Sequence, residues 1–212
     1  MTFKVSFVLL IITIVTSIMA WNNAILMKKW IFNPYIIARN KQYYRFLTSG
    51  FIHNDTMHIF FNMFVFFMFG STLEAKYMGF FGITMGKVAF VGLYLLGIII
   101  SSIPTFIKYI DLPHYNSLGA SGGTASVLFS AIMLDPADNL YLFGFIGAPG
   151  IILGALYMIY SYYMGKRGED NINHDAHLFG AAFGIVYTVL VYPSSIGQFF
   201  DKLLTMKMPG FF

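Results

Sequence analysis

The sequence predicts an all-α membrane protein built from six transmembrane helices. Hydrophobic residues make up 58% of its 212 residues and charged residues only 10%, whereas soluble domains carry about a quarter charged residues. Apolar runs recur along the chain at lengths near the ~20 residues that a helix needs to cross a bilayer. Short segments containing polar residues, Gly or Pro separate these runs. The absence of Cys also excludes disulfides and a cysteine nucleophile.

The six expected helices belong to a single integral membrane domain of residues 1–212. They cover residues 5–21, 57–73, 88–107, 121–134, 141–164 and 176–192. The first run could instead be a cleaved signal peptide, although Ile18 fits poorly at the −3 position of a cut after Ala20. Residues 22–52 form a long first loop that combines Lys and Arg with aromatic rings, a mixture typical of a segment at the lipid interface.

The fourth expected helix is too short to cross the bilayer. Its span of residues 121–134 covers ~21 Å at 1.5 Å per residue, against a hydrocarbon core of ~30 Å. If Asp135 lies at one surface, Ser121 lies roughly 10 Å below the other. The preceding loop must then dip into the membrane, which is tolerated where the backbone is buried in protein or lines a wet cavity. Ser121 is therefore expected beside the free N–H groups of a recessed helix N-terminus.

A serine hydroxyl needs a base within hydrogen-bond reach to act as a nucleophile. With six spans, the second, fourth and sixth helices all begin on one side of the membrane, with His58, Ser121 and His177 near their starts. Polar groups at membrane depth are functional by default. Two other interpretations are open at this point: small-residue packing alone, and a transporter whose polar track uses these histidines.

Helix spacing adds to the acyl-transfer interpretation. His177 shares a face with Gly180 and Gly184, and these small residues allow a close approach to a stripe formed by Ser121 and Ala125. On the second helix, His58 and Asn62 lie one turn apart and offer two donors on one face. A serine, a base and extra donors are the parts required for acyl transfer with an oxyanion hole.

The motifs that carry these residues resemble those of the rhomboid intramembrane serine proteases. They are His53-x4-His58-x3-Asn62, Gly119-x-Ser121-Gly122 and Ala176-His177-x2-Gly180-x3-Gly184, in this order along the chain. The resemblance implies a six-helix rhomboid bundle with a membrane-embedded first loop, a mobile cap before the sixth helix and a fifth helix that acts as a side gate. It implies a Ser121–His177 dyad, with His58, Asn62 and the Ser121 backbone N–H as the oxyanion hole. Gly119, Gly122, Gly180 and Gly184 would support this site.

The resemblance also implies partners and a location. The substrates would be transmembrane proteins in a lipid bilayer, with no metal and no cofactor. The net charge of +4 contains no long basic run, so nothing indicates nucleic-acid binding. The family's topology would place the active site on the extracytoplasmic side of a bacterial-type plasma membrane. That orientation leaves eight Lys and Arg residues outside and five inside, which is the reverse of the positive-inside rule. A catalytically inactive relative that binds membrane-protein clients is the main alternative.

Three further expectations concern single side chains. Ala125 stands where the family commonly carries an aromatic ring that stacks on the histidine, so Phe129, Phe179 or Tyr115 is expected to fill that space. His53 is expected to be a loop or capping histidine rather than a catalytic one. Glu74 is expected to form a solvated pair with Lys76.

Overall fold

The computed structural model describes residues 3–142, 146–168 and 172–206, and within these ranges the chain is mostly helical. The helices, in chain order, are α1 Val5–Trp21, α2 Ala24–Trp30, α3 Pro34–Asn40, α4 Arg45–Thr48, α5 Thr56–Phe81, α6 Ile83–Ser101, α7 Ile103–Tyr109, α8 Ser121–Leu134, α9 Gly150–Arg167, α10 His174–Val191 and α11 Ser195–Leu204. A 3-10 turn, Ser49–Phe51, follows α4. Two short strands, β1 Asn139–Leu142 and β2 Ile146–Pro149, form an antiparallel hairpin.

Three of the described helical segments are long and apolar enough to cross a membrane. They are Thr56–Phe81, Ile83–Tyr109 and His174–Val191, the second of which combines α6 and α7. Val5–Trp21 and Ser121–Leu134 are shorter apolar helices. The helical membrane class that the composition predicts is therefore confirmed, whereas the count of six spans stays a prediction.

The short helix α8 forms the centre of the bundle. Eleven of its fourteen residues are buried, and α5, α6 and α10 pack around it. Gly97 of α6 packs against Ser126 of α8, where a Cβ on the glycine would lie 2.8 Å from the serine Cβ. Ser101 lies against Gly122 further toward the start of α8, so α6 and α8 run antiparallel. A helix enclosed in this way can be shorter than the membrane because protein, not lipid, surrounds its ends.

The second expected helix is longer than residues 57–73, and its extension changes the role of Glu74. This carboxylate is fully buried and accepts hydrogen bonds from the backbone N–H groups of Val5 and Ser6, each at 2.9 Å. Lys76 forms an ion pair with Asp135 instead. The predicted Glu74–Lys76 pair is therefore wrong, because the first turn of α1 has free N–H donors that need acceptors and Glu74 supplies them.

The fifth helix begins later than the expected residue 141. Asn139–Leu142 and Ile146–Pro149 pair as strands, and α9 starts at Gly150, directly after Pro149. Proline lacks an N–H and is common where a helix begins. An apolar run does not by itself distinguish a strand from a helix, which explains the difference of nine residues at this end.

The long first loop folds into α2, α3 and α4, and a buried arginine holds it together. Arg45 is only 4% exposed. Its guanidinium donates to the carbonyl oxygens of Lys28 (2.9 Å) and Ile31 (2.6 Å) and to the side chain of Gln42 (2.7 Å). These three acceptors compensate the burial of the charge.

Candidate active site at the N-terminal ends of three helices

The helices α8 and α10 touch backbone to backbone and run parallel. A Cβ on Gly180 would lie 2.9 Å from the Cα of Gly122, and a Cβ on Gly184 would lie 2.8 Å from the Cα of Ser126. The Ser126 hydroxyl also donates across the interface to the Gly180 carbonyl, at 2.9 Å. The α8 residues in the contact are thus Gly122 and Ser126, each one position after the expected Ser121 and Ala125. Gly122 has no side chain to separate the two backbones, and the Ser126 hydroxyl donates a hydrogen bond to the carbonyl that it faces.

This parallel arrangement brings the starts of α8 and α10 to the same end of the bundle. Ser121 is the first residue of α8 and His177 the fourth residue of α10. Each precedes the first backbone contact of its helix, which joins Gly122 and Gly180. The two candidate residues are therefore one turn or less from a fixed point of contact.

The helix α5 also contributes its first turns to this end. Gly119, two residues before Ser121, has φ +116°, and a Cβ there would lie 2.6 Å from His58 Nε2 and 2.7 Å from its Cε1. A glycine is required at this position for two reasons: the positive φ is strained for other residues, and the His58 ring leaves no room for a side chain. At the other end, the Tyr77 hydroxyl of α5 lies 2.9 Å from the Ser130 hydroxyl of α8, so these helices also run parallel.

Asn62 lies one turn below His58 and is nearly buried, at 8% exposure. Its side-chain nitrogen donates to the His58 carbonyl, at 3.0 Å. An amide nitrogen carries two donors, so this bond fixes the side chain and leaves one N–H for another acceptor.

The ring of His177 lies between two other rings. Tyr157 of α9 stacks on it, with centroids 5.9 Å apart and planes 16° from parallel, and His174 approaches edge-on at 5.6 Å. These are the ring contacts observed for His177 within the described residues. A hydrogen bond between Ser121 and His177 remains a proposal.

The nearby carboxylate of Asp175 forms an ion pair with Lys108, with 3.0 Å between the nitrogen and the oxygen.

The ring that stacks on His177 is one that sequence reasoning missed. Phe179 is 43% exposed, and Tyr115 stacks on Tyr109, with centroids 3.8 Å apart. Phe129 packs against Tyr157, at 5.7 Å, so it supports the stacking ring rather than providing it. The ring observed to stack on His177 is therefore Tyr157 and none of the three named residues, whereas the expectation that one of them fills the space at Ala125 stays a prediction.

His53 connects the first helix to the residue before Ser121. It is fully buried; its Nε2 accepts a hydrogen bond from the Ala120 N–H at 3.2 Å, and its Nδ1 lies 3.0 Å from the Ser17 hydroxyl. Burial, and secondarily the neighbouring His58, lowers the pKa of His53 to about 3. The ring is consequently neutral, and because Nε2 accepts, its proton lies on Nδ1 and is donated to Ser17. His53 lies in the loop between the 3-10 turn and α5, as expected, and from there it connects α1 to the residue before Ser121.

The start of α10 is held to the neighbouring loop by Asn173. This residue caps the helix, accepts a hydrogen bond from the Thr105 hydroxyl and donates to the Ser117 hydroxyl, both at 3.1 Å. Among the residues described, no group of three or more His, Asp or Glu side chains could hold a metal ion. The chemistry that this end of the bundle offers is that of hydroxyl, imidazole and amide groups.

Comparison with known proteins identifies the family. A model of the rhomboid domain matches residues 40–194 of the chain. The chain belongs to the rhomboid family. It is also 28% identical over 155 residues to the RHOMBOID-like protein 12, mitochondrial, of Arabidopsis thaliana, a match that covers 66% of this chain. The match spans 44% of the length of that relative, so the chain corresponds to less than half of it. The membership of the rhomboid family that the motifs indicate is confirmed.

Proposed function

We propose that this rhomboid family protein is an intramembrane serine endopeptidase that hydrolyses peptide bonds in or near transmembrane segments of other membrane proteins. The observation that carries the proposal is the convergence of a serine, two histidines and an asparagine at the starts of three parallel helices. Ser121 begins α8, His58 packs against Gly119, and the backbone contact of Gly122 with Gly180 lies directly below Ser121 and His177.

In the proposed reaction, a ring nitrogen of His177 takes the proton of the Ser121 hydroxyl while Oγ attacks the scissile carbonyl carbon. The carbonyl oxygen becomes an oxyanion, which accepts hydrogen bonds from His58, from the remaining N–H of Asn62 and from the Ser121 backbone N–H. His177 then gives its proton to the leaving amine, and an acyl-enzyme remains. Water attacks this ester with the same histidine as base, and the carboxylic acid product leaves.

The helix N-terminus supports this chemistry electrostatically. The first residues of α8 have backbone N–H groups without intrahelical partners, and no side chain caps the helix at Ala120. Their partial positive charge favours the oxyanion over the neutral carbonyl. The site requires no cofactor, since every proton transfer uses groups of the chain and of water.

We further propose the membrane arrangement that this function requires. Residues 1–212 form one domain whose six spans follow α1, α5, α6, α8, α9 and α10, and the first loop is embedded in the membrane beside them. The active-site end faces the extracytoplasmic side of a plasma membrane of bacterial type. Transmembrane protein substrates then reach Ser121 from within the bilayer, between helices rather than from solution.

Reconstitution into liposomes with a fluorogenic transmembrane substrate tests the proposed function. Ser121→Ala and His177→Ala should each abolish cleavage, while Ser194→Ala and His114→Ala, which alter exposed residues of the same types, should cleave at the wild-type rate. Cleavage that persists in either active-site variant would contradict the dyad. Substrate binding without cleavage by the wild type would instead identify a protein that handles membrane-protein clients.

A further inference from the structure

We infer that Tyr157 of α9 is the positioning residue for His177, so that the base is held in its working orientation only while α9 packs against α8 and α10. The inference rests on the proposed function, because it assigns Tyr157 a role in the same reaction. Tyr157 itself touches neither the substrate nor the reacting atoms in the proposed reaction. It acts through the ring of His177.

The geometry of the two rings is the first observation. Tyr157 and His177 are 16° from parallel, with centroids 5.9 Å apart, an offset arrangement of the kind that aromatic pairs prefer. His174 meets the His177 ring at 73°. The stacked Tyr157 ring thus restricts the tilt of the imidazole plane, and the edge-on His174 ring restricts movement of the imidazole within that plane.

The second observation is that small residues lie near the contact between α9 and α8. Gly154 lies one turn before Tyr157 on α9, and a Cβ there would lie 3.0 Å from Ile132 and 3.3 Å from Phe129 of α8. This glycine lets α9 approach α8 closely. Ala125, buried at 3% exposure one turn before Phe129 on α8, carries no ring of its own. A ring supplied by α9 therefore takes the part that a ring at position 125 would otherwise play.

A third observation fixes the Tyr157 ring in place. Phe129 packs against it at 5.7 Å, with planes at 46°. The order of contacts is therefore Phe129 of α8, Tyr157 of α9 and His177 of α10. Since each ring belongs to a different helix, any displacement of α9 away from its neighbours withdraws the middle ring and releases the imidazole.

The expected size of the effect follows from the strength of aromatic pairs. Such a pair contributes about 0.5–1.5 kcal/mol beyond the area that it buries, which corresponds to about a 2- to 13-fold change in the fraction of correctly oriented imidazole. Only the oriented fraction can accept the proton from Ser121. Loss of the ring should therefore lower kcat, while KM, which reflects binding of the substrate segment, should not change.

Two substitutions at position 157 separate ring stacking from apolar packing. Tyr157→Phe keeps the ring and should retain kcat within about 2-fold, whereas Tyr157→Leu keeps apolar volume without the ring and should lose about 3- to 10-fold in kcat at unchanged KM. Tyr163→Leu is the matched control, because this tyrosine of α9 is 62% exposed, and it should behave as wild type. A Leu variant with wild-type kcat, or a Phe variant as slow as the Leu variant, would overturn the inference.

A measurement on the wild type does not depend on how the variants fold. In protein labelled selectively at Tyr and His, a nuclear Overhauser contact between the ring protons of Tyr157 and His177 is expected in detergent micelles, and its absence would overturn the inference. If the wild type cleaves and the Leu variant keeps its kcat, the inference alone fails. If the wild type itself does not cleave, the proposed function fails and the inference fails with it.

Discussion

Gly180→Ala should weaken both the stability of the bundle and its proposed activity. The added Cβ would lie 2.9 Å from the Cα of Gly122 and 3.0 Å from its carbonyl carbon. The carbonyl oxygen of Gly122 would lie closer still. Ordinary contacts begin near 3.4 Å, so α8 and α10 must separate by more than about half an ångström. All three neighbours are backbone atoms, which cannot rotate away as a side chain could. Overpacking of this kind costs about 1–3 kcal/mol of unfolding free energy.

The same separation should act on catalysis, because the contact lies directly below Ser121 and His177. A misplacement of about 1 Å costs on the order of 100-fold in rate, so a shift of more than half that size should lower kcat by at least roughly 10-fold. Denaturation of the reconstituted protein, followed by circular dichroism, measures the first effect and cleavage of the transmembrane substrate the second.

Gly79→Ala is the matched control for this substitution. A Cβ on Gly79, in α5, meets nothing within 4 Å, so the alanine should leave activity unchanged and raise helix stability by up to about 1 kcal/mol. If Gly180→Ala unfolds at the wild-type denaturant concentration and cleaves at the wild-type rate, the backbone contact between α8 and α10 is not as close as the structure has it.

Three further predictions concern buried polar side chains. The pKa of His53 is about 3 in the folded protein, against an ordinary value of 6.5, so the unfolded chain takes up a proton first as the pH falls. The free energy of unfolding therefore keeps its full value above pH 6.5 and falls by about 1.4 kcal/mol per pH unit as the pH drops toward 3. His53→Gln should flatten that dependence in acid denaturation, whereas His114→Gln should keep it, and equal slopes in both variants would contradict the assignment. Glu74→Ala should cost about 2–4 kcal/mol of unfolding free energy, because two backbone N–H groups lose their acceptor, and Glu74→Gln, which can still accept, should cost less; an alanine variant within about 0.5 kcal/mol of wild type would refute this. Asn62→Ala should lower kcat by about 100- to 1,000-fold in the cleavage assay without preventing folding, and an unchanged rate would remove this residue from the oxyanion hole.

Local signals in the sequence were sufficient for the helix that carries the candidate nucleophile. The structure gives α8 the bounds Ser121–Leu134, the same as those expected, because Gly119 lies just before the helix and Asp135-Pro136 ends it. The stripe of Gly180 and Gly184 was also readable from its spacing. Its partner on α8 was predicted one residue early, since spacing gives a face of a helix but not the rotation of that helix about its axis.

Features that depend on distant parts of the chain could not be predicted in this way. Glu74 caps a helix 68 or 69 residues away, and no local pattern distinguishes such an acceptor from a solvated acid beside a lysine. The hairpin before α9 is formed by mostly apolar strands whose pattern fits strand and helix alike. Tyr157 stacks on His177 where α8, α9 and α10 pack together, a relation between three helices that single-helix spacing does not contain.

Reaction of the protein with a fluorophosphonate probe tests whether Ser121 is an activated nucleophile, because only an activated serine forms a stable phosphonyl ester. We expect that the wild type in detergent is labelled, that mass spectrometry locates the adduct on Ser121, and that both Ser121→Ala and His177→Ala prevent labelling. The exposed-serine variant Ser194→Ala should be labelled as fast as wild type. A wild-type protein that is not labelled, or an adduct on any serine other than Ser121, would contradict the assignment of this site.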